Sequence, residues 1–392
     1  MKVKIFTLRS QLAYGRNFDE SQRVFLNAVS RAADVTFVVN SPDNCEQSDL
    51  DVIFVQTGGV EGAFLRMLPN MRQPIYLLTN GQNNSLAAAM EILTYLKDNG
   101  IDGEIIHGGA EHAAHRISQL CKVNCARRKI ADMRLGVIGK PSDWLISLPD
   151  YAKVKQLFGT KLVDINLEQL TDNRRQESRQ LPSWDEKEKQ KALCLYGGAK
   201  FLVDKYRLDG FTLRCFDLLQ TDTTGCLALA LLNSEKVVAC CEGDIMAMLS
   251  MAVIRAACGR SSFQANPSRI DPEKNHVVFA HCTLPLDMTE SYKFDTHFES
   301  GKGIAVKGEM KKGAVTVLRL SADLKHYFLS GGELLYNLDE KHLCRTQIAV
   351  RLDEDVNCLL RRPCGNHHVI CYGDNVSLLE DVLDSYMLTR VR

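Results

Sequence analysis

Short apolar runs alternate with helical stretches through the first 260 residues of this 392-residue chain, and the alternation stops after Gly259. A buried run that leads into a 3.6-residue apolar period describes a β–α unit, and repeated units pair their strands in parallel beneath helices on both faces. The runs at 3–8, 35–39, 52–56, 75–79 and 105–106 are expected strands, and 20–33, 62–68, 85–98 and 112–131 expected helices. Val24, Phe25 and Val29 mark the buried face of the first helix, and Ser85 and Gly100 read as the start and stop of the third. A second series begins at residue 135, with strands at 135–139, 161–165, 211–216 and 237–241 and helices at 151–158, about 185–206 and 244–258. The charged stretch 171–191 reads as a surface loop leading into one of those helices. From 277 the pattern changes to β-branched segments at 277–280, 304–307, 314–320, 347–352 and 369–372, separated by Gly, Asp, Asn and Lys turns. The expectation is an α/β chain: two parallel-sheet domains, 1–131 and 132–260, then an antiparallel barrel-type domain, 261–392.

Lys and Arg together number 48, as do Asp and Glu, so no net field draws nucleic acid or an anionic membrane surface. No uncharged apolar run reaches eighteen residues, which excludes a spanning helix, and residues 1–6 read as a first strand rather than a leader. Fourteen cysteines sit mostly inside apolar strings, as Cys194, Cys215, Cys240 and Cys241 do. Buried thiols of this kind behave as small hydrophobes, and Cys121 with Cys125 lacks the second pair of a zinc site. Reduced thiols and a cytoplasmic location are expected.

In open α/β sheets ligands bind beyond the carboxyl ends of strands. The turn at 57–62 matches no phosphate-binding fingerprint and reads as a tight β–α turn. At 139–144 a helix start capped by Ser142 or Asp143, with Trp144 as anchor, competes with a stacking role for Trp144 against a sugar. Cys240-Cys241-Glu242-Gly243-Asp244 is more demanding: Asp244 reads as an N-cap, but Glu242 emerges from a buried strand, where a lone carboxylate is costly. Its partner would be a metal or a substrate hydroxyl. His281 ends another β run, and His367 and His368 enter a third, where alternation lets one of the two face a given site. Glu242 with these histidines makes a mixed oxygen and imidazole donor set, suited to manganese, cobalt or zinc. His107, His112 and His115 cluster at a strand end and the helix after it, where a solvated helix start explains them.

These motifs, in this order, resemble the L-fucose and L-arabinose isomerase superfamily. The resemblance rests on Cys241-Glu242-Gly243-Asp244 before an apolar helix, on Phe279-Ala280-His281-Cys282-Thr283, and on the run from Gly365-Asn366-His367-His368 to Gly373-Asp374. It implies two Rossmann- or flavodoxin-like domains and a C-terminal barrel. It further implies aldose–ketose isomerisation of an open-chain pentose, hexose or deoxyhexose through an enediolate, with a divalent metal, commonly Mn2+, alternatively Zn2+ or Co2+. Glu242 is then ligand and acid/base, and His281 and His367 are ligands. Trimers or hexamers are implied too, which would give His107 and Trp144 a role across a subunit interface. Asn266 and His368 complete the implied substrate contacts.

The chain departs from the pattern at Asn266, which stands where the family carries a second acid. Asparagine can bind a metal through its carbonyl but cannot act as a base. Two expectations therefore stand together: a divergent metal-dependent sugar isomerase, or a catalytically degenerate carbohydrate-binding or regulatory relative.

Overall fold

The computed structural model describes residues 1–10, 16–39 and 48–392, so Cys45 lies outside the described residues. The chain forms two compact units, Met1–Cys125 and Ala126–Arg392.

The first unit is a five-stranded parallel sheet of β1 (Lys2–Leu8), β2 (Thr36–Val39), β3 (Leu50–Val55), β4 (Ile75–Thr79) and β5 (Gly103–His107). Its helices are α1 (Arg16–Ala33), α2 (Glu61–Met67), α3 (Ser85–Asp98) and the start of α4 (Ala110–Asp132). The order β2-β1-β3-β4-β5 is that of flavodoxin-like sheets. Strand alternation divides its core in two. Val52, Phe54 and Leu78 pack with Val29 and Ile117 on one face, while Ile53, Val55 and Leu77 pack with Phe64 and Ile92 on the other. Ser85 is the first helical residue rather than the cap; its hydroxyl is 2.6 Å from that of Thr79, which ties α3 to the end of β4.

The second unit begins with β6 (Arg134–Ile138), α5 (Tyr151–Phe158), β7 (Lys161–Ile165), α6 (Leu167–Asp172), α7 (Glu186–Tyr206), β8 (Gly210–Leu213), α8 (Cys226–Ser234), β9 (Val238–Cys241) and α9 (Ile245–Cys258). Its four strands are parallel in the order β7-β6-β8-β9, the same winding with one strand fewer. The expected strand at 211–216 stops at Leu213, whose carbonyl accepts the Gly243 N–H, and a 3-10 turn follows over Cys215–Thr221. The expected helix start at 142–144 does not form either.

The rest of the unit holds β10 (Phe263–Asp271), β11 (His276–His281), β12 (Thr289–Asp295), β13 (Ala305–Met310), β14 (Gly313–Leu320), β15 (His326–Asn337), β16 (Thr346–Leu352), α10 (Asn357–Arg361), β17 (His368–Tyr372), α11 (Val376–Asp384) and β18 (Thr389–Arg390). Six strands run β14-β17-β10-β11-β16-β15, and the further pairing of β14 with β15 closes them into an antiparallel barrel. The expected α/β-then-barrel architecture is the one observed. Six strands enclose too little space for a ligand, and the lumen is filled by Phe263, Phe279, Val315, Val317, Ile348, Val350 and Ile370, each at most 1% exposed. Fully burying a side chain of this size is worth about 1.5–3 kcal/mol. Chemistry is therefore confined to the barrel's rim. No helix among the described residues is long and apolar enough to cross a membrane.

Candidate metal centre

The strand registers explain the rim. Phe328 lies opposite Arg319, Leu318 opposite Val369, Ala265 opposite His368, Asn266 opposite Ala280, and His281 opposite Thr346. Continued by one step, these pairings make one inward-facing row of Phe328, Arg319, His368, Ala265, His281 and Thr346. Below this row the lumen is apolar; at this row it turns polar.

Facing it is the carboxyl end of β9. Gln264 on β10 clamps that end: its Oε1 accepts the Cys241 N–H at 2.7 Å and its Nε2 donates to the Cys241 carbonyl at 3.3 Å. The chain then turns sharply, with φ of +64° at Glu242 and +71° at Gly243. A left-handed glutamate is strained by about 1–3 kcal/mol and persists where its surroundings hold it. Here the Ser142 N–H donates to the Glu242 carbonyl at 3.0 Å, and the Gly243 N–H to Leu213 at 3.0 Å. Residue 243 must be glycine, since a Cβ would lie 2.7 Å from both the Lys140 oxygen and the Pro141 Cα. Asp244 then caps α9, accepting the Ala247 N–H at 2.8 Å.

This turn aims the Glu242 side chain at the two histidines. Its Oε1 lies 3.6 Å from His281 Nε2 and 3.4 Å from His367 Nε2, and the two imidazole rings are 5.4 Å apart, edge to face. One donor atom from each residue falls within 4.8 Å of the others, a spacing that could hold a metal ion. Each ring is also held from behind. Asp244 Oδ2 is 2.9 Å from His367 Nδ1, and the Thr283 hydroxyl 3.1 Å from His281 Nδ1. Such contacts orient each ring so that its Nε2 faces Glu242, the arrangement that supports a metal-ligating imidazole. His367 Nε2 is buried with no hydrogen-bond partner, a costly state for a polar atom that a bound cation would relieve. The carboxylate and two imidazoles thus fit a divalent ion of borderline hardness.

The electrostatics agree with the geometry. Burial by itself would raise the Glu242 pKa, but His281 and His367 outweigh it and hold the carboxyl well below the usual carboxylate range. The same contest holds Asp244 low, with Arg319 and His367 against burial. Burial pulls His367 down, yet Asp244 and Glu242 raise it to about 9.

The other expected site residues are dispersed. Trp144 joins the centre within the same chain: its indole N–H donates to Glu242 Oε2 at 2.7 Å, its ring meets Phe216 edge to face at 4.8 Å, and it stays half-exposed. His368 points into the lumen between Phe279 and Phe328, with its Nε2 unpartnered; burial first, then Arg319, lowers its pKa to about 3, so the ring is neutral. Asn266 lies one step beyond inward-facing Ala265, so alternation puts it on the outer side of β10 with Gln264. His107 belongs to the first unit, where its Nδ1 lies 3.3 Å from the Thr79 carbonyl. The thiols around the centre, Cys215, Cys240, Cys241 and Cys282, are free, and the sulfurs of Cys215 and Cys241 are 3.0 Å apart.

Three contributors escaped sequence reasoning. Asp244 does more than cap, since its Oδ2 also accepts from Arg319 Nη1 at 2.9 Å. Arg319 had a readable signal: a single cation in the inward-facing series Val315, Val317, Arg319 must find a partner. Gln264 had none, for nothing local marks a glutamine that clamps a distant strand.

No family model matches the chain. It is 24% identical over 273 residues to a protein named sulfoquinovose isomerase from Alkalicoccus urumqiensis; the match covers 63% of this chain and 61% of that protein. It is 21% identical over 313 residues to proteins of the same name from Priestia aryabhattai and Priestia megaterium, covering 71% of this chain and 70% of theirs. The chain is thus related, at low identity, to sugar isomerases.

Proposed function

We propose that this protein is a metal-dependent aldose–ketose isomerase acting on an open-chain sugar, with Glu242, His281 and His367 as the metal's protein ligands. The observation that carries the reading is the convergence of the Glu242 carboxylate with the Nε2 atoms of two buried imidazoles, His281 and His367, their donor atoms within 4.8 Å of one another and both rings held from behind by Thr283 and Asp244. A bound divalent cation would polarise the sugar carbonyl and ease removal of the neighbouring proton. The chain's own residues do the rest. Glu242 is ionised, and so able to share a proton with a carbon or hydroxyl within reach. Trp144 restrains one Glu242 oxygen and leaves its half-exposed indole for the apolar face of a sugar. Asp244 and Thr283 hold both imidazoles in orientation from behind. The relatives' name brings a sulfonated hexose as the first substrate to try. Manganese is the first metal to try, with zinc and cobalt as alternatives.

Metal analysis of the purified and manganese-reconstituted protein tests the reading. About one ion per chain is expected, lost in Glu242→Gln, together with deuterium incorporation at C2 of an accepted aldose in D2O. Failure to bind any cation at excess manganese would sink it. Metal-free sugar binding without exchange would support a non-catalytic carbohydrate-binding relative, which the single carboxylate in the Glu242, His281 and His367 group favours.

A further inference from the structure

A cavity of about 220 Å³ opens beside the centre, between the segment carrying Trp144 and Ser147, the first residues of α9, and Arg319 with Gly365 and Asn366. It shares Trp144 and Asp244 with the metal centre, but Glu242, His281 and His367 do not line it. Two features of its wall are unspent. The first is Arg319, 4% exposed, which gives Nη1 to Asp244 and Nε to the Cys364 carbonyl at 3.4 Å. No hydrogen bond among the described residues uses its Nη2. Gly365, with φ of +145°, keeps the space beside that nitrogen clear, since a Cβ there would sit 2.4 Å from it.

The second is the N-terminus of the fourteen-residue helix α9. The first amides of a helix have no partner inside it. Asp244 takes the Ala247 N–H, which leaves those of Ile245 and Met246, and both residues line the cavity. If Arg319 served only to neutralise Asp244, Nη1 would suffice. A buried guanidinium with a spare donor beside unpaired helix amides is the donor arrangement that takes a tetrahedral oxyanion.

The geometry points to an oxyanion subsite, in which the sulfonate or phosphate at the far end of an acidic sugar sits between Arg319 Nη2 and the first amides of α9. The inference rests on the isomerase reading for the sugar, though not for the anion. Trp144 and Asp244 belong to both sites. Ser147, exposed at the rim, governs entry.

Isothermal titration calorimetry on the full chain separates the two readings. The ligands are methanesulfonate, inorganic sulfate, glucose, and glucose carrying a 6-sulfonate; the proteins are wild type, Ser147→Glu and Arg319→Met. Methanesulfonate is expected to bind wild type, at least tenfold more weakly to Ser147→Glu, and not at all to Arg319→Met. The sulfonated sugar is expected to bind at least tenfold more tightly than glucose. Arg319→Met also strips Asp244 of a partner, so if it fails to fold, the exposed Ser147→Glu decides. Equal methanesulfonate affinity in wild type and Ser147→Glu, or no binding to wild type, overturns the subsite. Sulfate binding with no preference for the sulfonated sugar assigns the cavity to a free anion and overturns its substrate role. Methanesulfonate binding in a protein that takes up no metal keeps the subsite and discards the isomerase.

Discussion

Asp244→Asn separates a capping role from a charge role at one buried residue. Asparagine ranks with aspartate as an N-cap, so the bond to Ala247 survives the change. What disappears is the negative charge 2.9 Å from both Arg319 Nη1 and His367 Nδ1. Arg319 cannot neutralise itself and is 4% exposed, so it is left as an uncompensated buried cation. Breaking one side of such a pair costs about 3–5 kcal/mol, against a net stability of about 5–15 for a typical protein. With a urea slope of about 3 kcal/mol/M, the unfolding midpoint should fall by about 1–1.7 M. Both tryptophans, Trp144 and Trp184, lie in the second unit, so their fluorescence reports that unit alone; the measurement belongs in EDTA, to keep metal binding out of it. The double variant Asp244→Asn with Arg319→Met should recover most of the loss, because both charges are then gone. A single-variant midpoint within about 0.2 M of wild type, or a double variant as unstable as the sum of its parts, would refute the claim that Asp244 is retained for its charge.

The pH dependence of metal-free stability has a determined sign. His367 is held at about 9, above its ordinary 6.5, so its contribution is complete below about pH 6.5 and is lost as pH rises through about 9. Glu242 and Asp244 are held low, so theirs is present above about pH 4 and lost as pH falls further. His368 is held at about 3, below its ordinary 6.5, so burying it as a neutral ring costs progressively more stability as pH falls below about 6.5; the urea midpoint in EDTA should therefore peak near pH 6.5, and a midpoint still climbing from pH 7 to 9 would contradict the arrangement. His368→Leu replaces a neutral ring that has an unpartnered nitrogen with an apolar side chain, so it should change stability by less than about 1 kcal/mol and leave metal content unaltered; loss of metal would make His368 a ligand. Gly243→Ala combines a φ of +71° with a Cβ 2.7 Å from backbone and should destabilise the second unit by more than about 2 kcal/mol in the same denaturation assay.

The sequence was most legible where one local pattern carried the signal. Alternating apolar runs located the parallel strands, and Glu242 stood out because a carboxylate leaving a buried strand has no inexpensive explanation. His281 and His367 could be named because each ends or enters a strand. Their pairing with Glu242 depends on barrel registers that no local pattern encodes, such as His281 opposite Thr346. At 142–144 local propensity favours a helix start, because Ser142 and Asp143 are good caps. In the structure Asp143 is taken by Arg214 at 3.1 Å, while the Ser142 N–H holds the Glu242 carbonyl, so no helix starts there. Local propensity lost to two tertiary contacts. Strands β10, β12 and β15 carry no clear local pattern, because Pro267, the glycines of β15 and charged residues interrupt their apolar content.

Asn266 and Arg319 are best understood together, through charge. A divalent cation held by one carboxylate and two neutral imidazoles, with Asp244 offset by Arg319, leaves one net positive charge in a largely buried centre. A second carboxylate within the centre would cancel it and suit a neutral sugar. Without that carboxylate, a neutral ligand leaves charge uncompensated away from water, whereas an acidic sugar brings the missing negative charge with it. Residue 266 lies on the outer side of β10, two residues from Gln264, which clamps the strand end that carries Glu242, so a charge there tests whether that face of the strand reaches the centre. Asn266→Asp should then move selectivity from acidic towards neutral sugars, lowering the ratio of their kcat/KM values by about tenfold, or about 1.4 kcal/mol. The assay is C2 proton exchange on glucose and its 6-sulfonate, with metal content measured in parallel. If Asn266→Asp raises metal affinity but leaves that ratio unchanged, charge at residue 266 does not select the substrate, and the spare donor on Arg319 must be explained without it.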